Sequence, residues 1–238
     1  MHRMVTVGLD DAHSVALWGS RDGGWTDAAL LASSAGDTQR ALFAHFVGGT
    51  ANGPAELATG GTKHVNFWRP AGRTLLCIPG SFGPKCPVQA VTCGATFNSS
   101  FVTGTATGLF YVWEACAAVR CISGHDGAVN TMHSTGEMMV TGGRDGAVKV
   151  WSGDFTNVHT YNVADARPPP MLRSVRSVAI MADADRSLIA FGTRSSEIYE
   201  VCVGQCDVMD RVRARARACV CVCVCVCVCV CVCVCVCV

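Results

Sequence analysis

The chain has 238 residues, half of them apolar, with 19 basic against 18 acidic side chains and 17 cysteines. Ten of the cysteines alternate with valine from Cys219 to Val238, and leaving out residues 211–238, with their four arginines, makes the balance 15 basic against 18 acidic. A mildly acidic body of ordinary apolar content can build a core, and it offers no basic footprint for nucleic acid or an anionic membrane, which excludes both as favoured partners.

The opening MHRMVTVGLDD lacks the apolar run of a signal peptide, and residues 1–210 hold no stretch of ~18 apolar residues, so a cytoplasmic protein is expected. The first structured segment, VTVGLDDAHSVALW (Val5 to Trp18), is two short apolar runs around a Gly/Asp turn, which predicts a hairpin. A strand candidate ALFAHFV (41–47) precedes a second hairpin, LATGGTKHVNFW, closing on Trp68. VQAVTCGA (88–95) precedes FVTGTATGLFYVW, closing on Trp113, and AVNTMHS (128–134) precedes MVTGGRDGAVKVW, closing on Trp151. After DARPPPMLRS (165–174), whose three prolines predict an inter-blade loop, VRSVAIM (175–181) precedes IAFGTRSSEIYEV, where Val201 takes the place of Trp.

The closing residues are 50, 45, 38 and 50 positions apart. Units of ~40 to 45 residues with about four strands each read as propeller blades. The expected fold is therefore all-β: an incomplete WD-repeat β-propeller of about four to five blades over residues 1–208. Residues 209–238 form an irregular low-complexity Arg-Ala/Cys-Val tail, read as a translated dinucleotide repeat. An incomplete ring has open strand edges, which invite pairing with other chains.

The fourth unit carries Gly124-His125, Thr141, Asp145 and Trp151 at the spacing of the WD-repeat hydrogen-bonded tetrad, in which indole, hydroxyl, imidazole and carboxylate satisfy one another. The hydroxyl of a catalytic triad must be exposed beside a cleft; this one is expected inside a blade, so the tetrad reads as structural. The other units are degenerate: Lys63, Thr107 and Ser195 stand at the turn-Asp position, and Val7 and Phe191 at the strand hydroxyl. Their cohesion is expected from Trp18, Val65, Phe67, Trp68, Phe110, Val112 and Trp113. HExxH, G-x-S-x-G, the P-loop and the dinucleotide fingerprint are all absent, so no enzyme, cofactor or metal site is expected. The seven body cysteines form no CxxC pair and read as reduced core residues. His45, His64, His133 and His159 are isolated, and Asp10-Asp11 and Asp183 to Asp185 read as solvated turns.

VGLDDAH (Val7 to His13), TGGTKHVNFW (Thr59 to Trp68), TGTATGLFYVW (Thr103 to Trp113), GHDGAVNTM (Gly124 to Met132) and GTRSSEIYEV (Gly192 to Val201) resemble, in order, successive blades of the echinoderm microtubule-associated protein-like (EMAP-like) family. The resemblance covers roughly residues 4–203. It implies a non-catalytic interaction module of the cytoskeleton that is expected to bind tubulin or microtubules when complete, with missing blades, a coiled coil and a hydrophobic motif expected elsewhere in the full gene product. A scaffold for a ciliary or signalling complex is the alternative. Because tubulin presents acidic tails and this body is itself acidic, binding would rest on local patches. The expected contacts are Lys63, His64, Arg69, Arg73, Arg144 and Lys149, clustered around turns and strand ends of units two and four.

Overall fold

The computed structural model describes residues 2–21, 23–48, 56–136, 138–163, 172–183, 186–203 and 235–237. These contain strands and no α-helix, hence no helix long and apolar enough to cross a membrane. The expected runs become antiparallel sheets in chain order. The first holds β1 (His2–Val7), β2 (Val15–Ser20) and β3 (Ala29–Ser34). The second is β4 (Ala41–Phe46), β5 (Leu57–Gly61), β6 (Val65–Ala71) and β7 (Thr74–Pro79). In the third, β9 (Val91–Phe97), β10 (Ser100–Thr105), β11 (Leu109–Glu114) and β12 (Ala117–Ser123) are joined by the short β8 (Ser81–Phe82), which runs parallel to β12 and covers its edge. The fourth is β13 (Val129–Ser134), β14 (Met139–Gly143), β15 (Ala147–Trp151) and β16 (Asn157–Asn162). The fifth has three strands, β17 (Val175–Asp183), β18 (Arg186–Thr193) and β19 (Ile198–Val203).

One expectation needs correction. The tail is not irregular throughout: Cys235–Cys237 form β20, antiparallel to β1 on the edge away from β2. Strict Cys/Val alternation with every second residue β-branched is a strand pattern, so this element follows from the repeat itself. Residues 204–234, Cys206 among them, lie outside the described residues, as does most of the proline-rich loop (164–171) and part of Asp183 to Asp185.

The described residues group into two compact units. The first combines those of 1–103 and 111–121 with β20; the second combines 104–110 with those of 122–203. Within the first, β4 and β9, the leading strands of the second and third sheets, lie side by side, and within the second so do β13 and β17. Period-two burial positions them: along β9, Val91, Cys93, Ala95 and Phe97 turn inward while the residues between are half-buried. The strand next to each, β5, β10 or β14, is buried almost throughout. A bulge recurs near the start of β4, β13 and β17, at Ala41/Phe43, Val129/Thr131 and Val175/Ser177, giving these strands the same local bend.

In the first unit, Val5, Val7, Val15, Leu17, Ala44, Leu57, Trp68 and Leu75 form one core, and Phe67 packs edge-on against both Phe101 and Trp113. In the second, Val140, Val148, Val150, Val175, Ile180, Ile189, Phe191 and Tyr199 form another. Trp18, expected in the core, is half-buried. Of the body cysteines, Cys86, Cys93 and Cys116 are buried, Cys121 and Cys202 half-buried, and Cys77 exposed. Burial pushes the thiols of Cys86, Cys116 and Cys121 above the ordinary value.

Two contacts generate predictions. A Cβ at Gly61 would collide with the backbone carbonyl of Arg40, which cannot rotate away. Gly61→Ala should therefore lower stability by about 1–3 kcal/mol in denaturant titration. Between β13 and β17, the Nδ1 edge of His133 accepts the Ile180 N–H at 3.2 Å, and desolvation holds its pKa below the ordinary histidine value although the residue as a whole is exposed. An imidazolium has no acceptor to offer. The unfolded chain therefore binds this proton more readily, so the contribution is complete above the unfolded pKa of ~6.5 and is lost as pH falls through the lower folded value. The midpoint of chemical unfolding should fall between pH 7 and 5, and His133→Gln, which keeps an acceptor without titrating, should flatten that dependence.

Candidate functional site

The most complete polar constellation lies in the fourth sheet. Its turn, Arg144-Asp145-Gly146, places Gly146 at φ 82°, the left-handed region open to glycine, and lets Asp145 fold back over the strand ends. Trp151 Nε1 donates to Thr141 Oγ1 at 2.9 Å, and Thr141 Oγ1 lies 2.8 Å from His125 Nε2. His125 Nδ1 is 3.0 Å from Asp145 Oδ2, which also accepts the Asp126 N–H, while Asp145 Oδ1 accepts the Ala147 N–H. If His125 donates its Nδ1–H to the carboxylate, Nε2 is left to accept the Thr141 hydroxyl, and every polar atom has a partner. Burial alone would raise the Asp145 pKa; the His125 hydrogen bond, the Ala147 N–H, the His125 charge and the Asp126 N–H outweigh it and hold the carboxyl below its ordinary value. The hydroxyl is fully buried and already bonded on both sides, an arrangement that rigidifies a blade and cannot present a nucleophile.

The indole–hydroxyl bond recurs where the rest of the tetrad does not. Trp68 Nε1 donates to Thr59 Oγ1, Trp113 Nε1 to Thr103 Oγ1 and Trp18 Nε1 to Thr6 Oγ1, each at 2.9 Å. The first-unit hydroxyl is thus Thr6, one residue before Val7, the position read from the sequence as lacking it. The error was one of register: Val7 turns into the core beside Val5, and Thr6 faces the ring.

The second sheet departs from the pattern in a way the sequence reading missed. Thr59 and Trp68 are nine residues apart, against ten for Thr141 and Trp151, so the β5–β6 turn is one residue shorter. Lys63 consequently does not stand at an Asp position. It takes φ 67°, the left-handed place that Gly146 fills in the fourth sheet. His64 follows, buried at 8% exposure, with Nδ1 3.3 Å from the Thr62 carbonyl and 3.9 Å from Asp37 Oδ1. Asp37 lies four residues before β4, as His125 lies four before β13, so a carboxylate and an imidazole again face one another with their places exchanged, at a distance too long for a hydrogen bond. Asn66 Nδ2 donates to Asp37 at 3.3 Å and the Gln39 N–H at 2.7 Å. The signal was present as Gly36-Asp37 at the spacing of Gly124-His125.

Elsewhere, Thr107 Oγ1 is 3.3 Å from Thr105 Oγ1, and Tyr111 donates its hydroxyl to the Pro87 carbonyl at 2.8 Å. In the fifth sheet Ser195 and Tyr199 both donate to Glu197, at 2.7 and 2.6 Å; desolvation and then that carboxylate push the Tyr199 phenol up to about 12.

The expected contact residues of the second and fourth sheets differ in exposure and in place within their own sheets. His64 is buried inside its blade and is withdrawn as a contact. Lys149 is half-buried, its Nζ donating to the Gly124 carbonyl at 2.6 Å. Lys63, Arg69, Arg73 and Arg144 are exposed. Lys63 and Arg144 occupy corresponding turns of their own sheets, β5–β6 and β14–β15, whereas Arg73 sits beyond the far end of β6, roughly 20 Å from Lys63 at ~3.3 Å per residue. Among the described residues no group of three His, Cys, Asp or Glu side chains is placed to hold a metal ion.

Removing the central hydroxyl tests the tetrad. Thr141→Val leaves the Trp151 N–H and the His125 ring nitrogen without partners in a buried site, and should cost about 2–4 kcal/mol in equilibrium unfolding. Thr6→Val, beside the half-buried Trp18, should cost less than half as much, because water can reach the indole.

Comparison with known proteins places these features. The family model described as WD domain, G-beta repeat matches residues 116–152, the stretch from β12 through the closing Trp151. The 77 kDa echinoderm microtubule-associated protein of Lytechinus variegatus is 26% identical over 120 residues, covering 48% of this chain and 18% of its own length. Echinoderm microtubule-associated protein-like 2 of Rattus norvegicus is 28% identical over 183 residues, covering 74% of this chain and 26% of its own length. Cilia- and flagella-associated protein 44 of Mus musculus is 23% identical over 172 residues, 68% of this chain and 9% of its length. The chain thus spans at most about a quarter of these relatives. Among solved structures, the computationally designed Ika8 protein superposes with a TM-score of 0.59 at 19% identity, over 84% of this chain and 55% of its own, a likeness of fold alone. Repeat match, all-β blades and relatives together support an EMAP-like WD-repeat protein.

Proposed function

We propose that this chain is a non-catalytic adaptor segment that contributes a binding surface for tubulin polymer. The observation that carries the reading is the match to microtubule-associated relatives over up to 74% of the chain, in blades whose polar centres are closed and therefore serve the scaffold. Contact then falls to the turns and rims, which vary freely on such a scaffold. The body is acidic, so attraction to acidic tubulin tails must be local, and each unit is assigned its own exposed turn residue, Lys63 in the first and Arg144 in the second.

A second reading has its own observation. The match to a cilia- and flagella-associated protein over 68% of the chain favours a scaffold in an axonemal complex, with the cilium in place of the general cytoskeleton.

Microtubule co-sedimentation tests the first reading. The chain should pellet with polymer at low salt, less so as salt rises, and the double substitution Lys63→Glu, Arg144→Glu should weaken binding by roughly tenfold. Absence of pelleting at any salt sinks it. A chain that ignores purified microtubules yet pellets with demembranated axonemes favours the second.

A further inference from the structure

Between the second and third sheets, inside the first compact unit, the chain crosses the outer strand of the third sheet as a strap. The Ser81 N–H donates to the Cys116 carbonyl at 2.9 Å, and Ser81 and Phe82 pair with Ala117 and Ala118 of β12. The Phe82 ring stands edge-on to Tyr111 and Trp113, its centroid 6.2 and 5.2 Å from theirs. A Cβ at Gly83 would stand 2.8 Å from the Ala118 carbonyl oxygen, so the strap lies directly on β12 at that point. A reverse turn follows, closed by the Cys86 N–H on the Gly83 carbonyl at 2.9 Å, and the Pro87 carbonyl then accepts the Tyr111 hydroxyl at 2.8 Å. Cys86 is thus pinned between a contact to β12 and a contact to β11. It is fully buried, whereas Pro84, Lys85, Pro87 and Val88 around it are exposed, so its side chain is turned in under the strap. The half-buried Cys121 lies on β12, three residues past Ala118.

We propose that Cys86 and Cys121 form an oxidation site, at which a hydroperoxide joins them in a disulfide that fastens the strap to the outer strand of the third sheet. The path of the strap brings Cys86 back to the sheet that carries Cys121, and the electrostatics agree. A charge on Cys121 disfavours ionisation of Cys86 across space, and both thiols act in the same sense on the Tyr111 phenol, as near neighbours do. Cys116, at the other end of the same strand, is raised by burial alone. Cys121 is the more accessible of the pair and takes the first step: its sulfur attacks the peroxide, the O–O bond breaks, Cys121 becomes the sulfenic acid and one water leaves. The Cys86 sulfur then displaces the hydroxyl of the sulfenic acid, the S–S bond forms and a second water leaves. Two thiols lose two electrons and two protons, and the peroxide becomes two waters. A dithiol reverses the bond by exchange. Burial leaves both thiols a smaller thiolate fraction than exposed cysteines have, so the site responds to sustained oxidant. The proposal is independent of the tubulin reading, since its outcome is read at two sulfurs and not at polymer.

Disulfide mapping after treatment with excess hydrogen peroxide tests both halves, on the full-length chain with serine at each of the ten cysteines from Cys219 to Cys237, so that only the body thiols react. Remaining thiols are blocked with N-ethylmaleimide, and trypsin, which cuts after Lys85 and Arg120, releases one peptide beginning at Cys86 and another beginning at Cys121. Fragmentation of the joined peptides should locate the link at Cys86 and Cys121, several-fold above any other pairing of Cys121, and dithiothreitol should remove it. Amide exchange at Ser81 and Phe82 should slow roughly tenfold on oxidation and recover on reduction, because the strap can no longer lift from β12. Cys86→Ala should abolish the link and Cys116→Ser should leave it; the mapping in the unsubstituted body stands even where a variant fails to fold. Cys121 joined mainly to another cysteine, or recovered as the sulfinic acid, overturns the pair. A link between isotopically labelled and unlabelled chains overturns its intramolecular form. Unchanged exchange at Ser81 and Phe82 in the linked protein overturns the fastening of the strap.

Discussion

The hydrogen bond from a tryptophan indole to a threonine hydroxyl on the neighbouring strand is the constraint on which the rest of this chain depends. It is made four times, by Trp18, Trp68, Trp113 and Trp151, always at 2.9 Å. An indole is large enough to close a blade but brings a donor that must be satisfied once water is gone, and a threonine on a buried β-strand supplies the acceptor at no cost in β propensity. Pairing fixes which residue faces which, so the bond sets the register of the two middle strands, and register sets which side chains reach the core.

Around that bond each sheet solves the remaining polar accounting differently. The fourth continues the chain through His125 to Asp145 and leaves nothing unmatched. The second, with a turn one residue shorter, exchanges the pair and draws its carboxylate from Asp37; there the far ring nitrogen of His64 lies buried without a partner. The third closes its corner with Tyr111 and the Pro87 carbonyl, and the fifth with Ser195, Glu197 and Tyr199. What varies between the sheets is therefore the polar corner; what repeats is the apolar strand pattern and, in the first four, the hydroxyl–indole bond.

This division separates scaffold from surface. Side chains engaged in the corners, such as His64 and Lys149, are committed to the fold, and those carried out on the turns, Lys63 and Arg144, face solvent. A tight turn that demands a left-handed residue holds Lys63 outward as effectively as it holds Gly146 in place. Recognition on such a scaffold is a property of turn length and turn residue, both of which can change without disturbing the core.

Strand content, repeat spacing and the complete tetrad were legible in the amino-acid order, because period-two alternation, closing tryptophans and Gly/Asp turns are local signals. The β4, β9, β13 and β17 runs were readable for the same reason. Other features depended on pairing between residues far apart. Whether Thr6 or Val7 faces Trp18 is a one-residue register choice made by β2 and the core beneath it. The exchange of Asp37 for the histidine position requires a loop 29 residues from Asn66 to fold back beside it. Whether Lys63 and Arg73 share one turn depends on the length of β6, which keeps them at opposite ends. The strand at Cys235–Cys237 was written in its alternation, yet that it pairs with β1 is decided by an open edge more than two hundred residues away, a fact about tertiary structure that no local pattern carries.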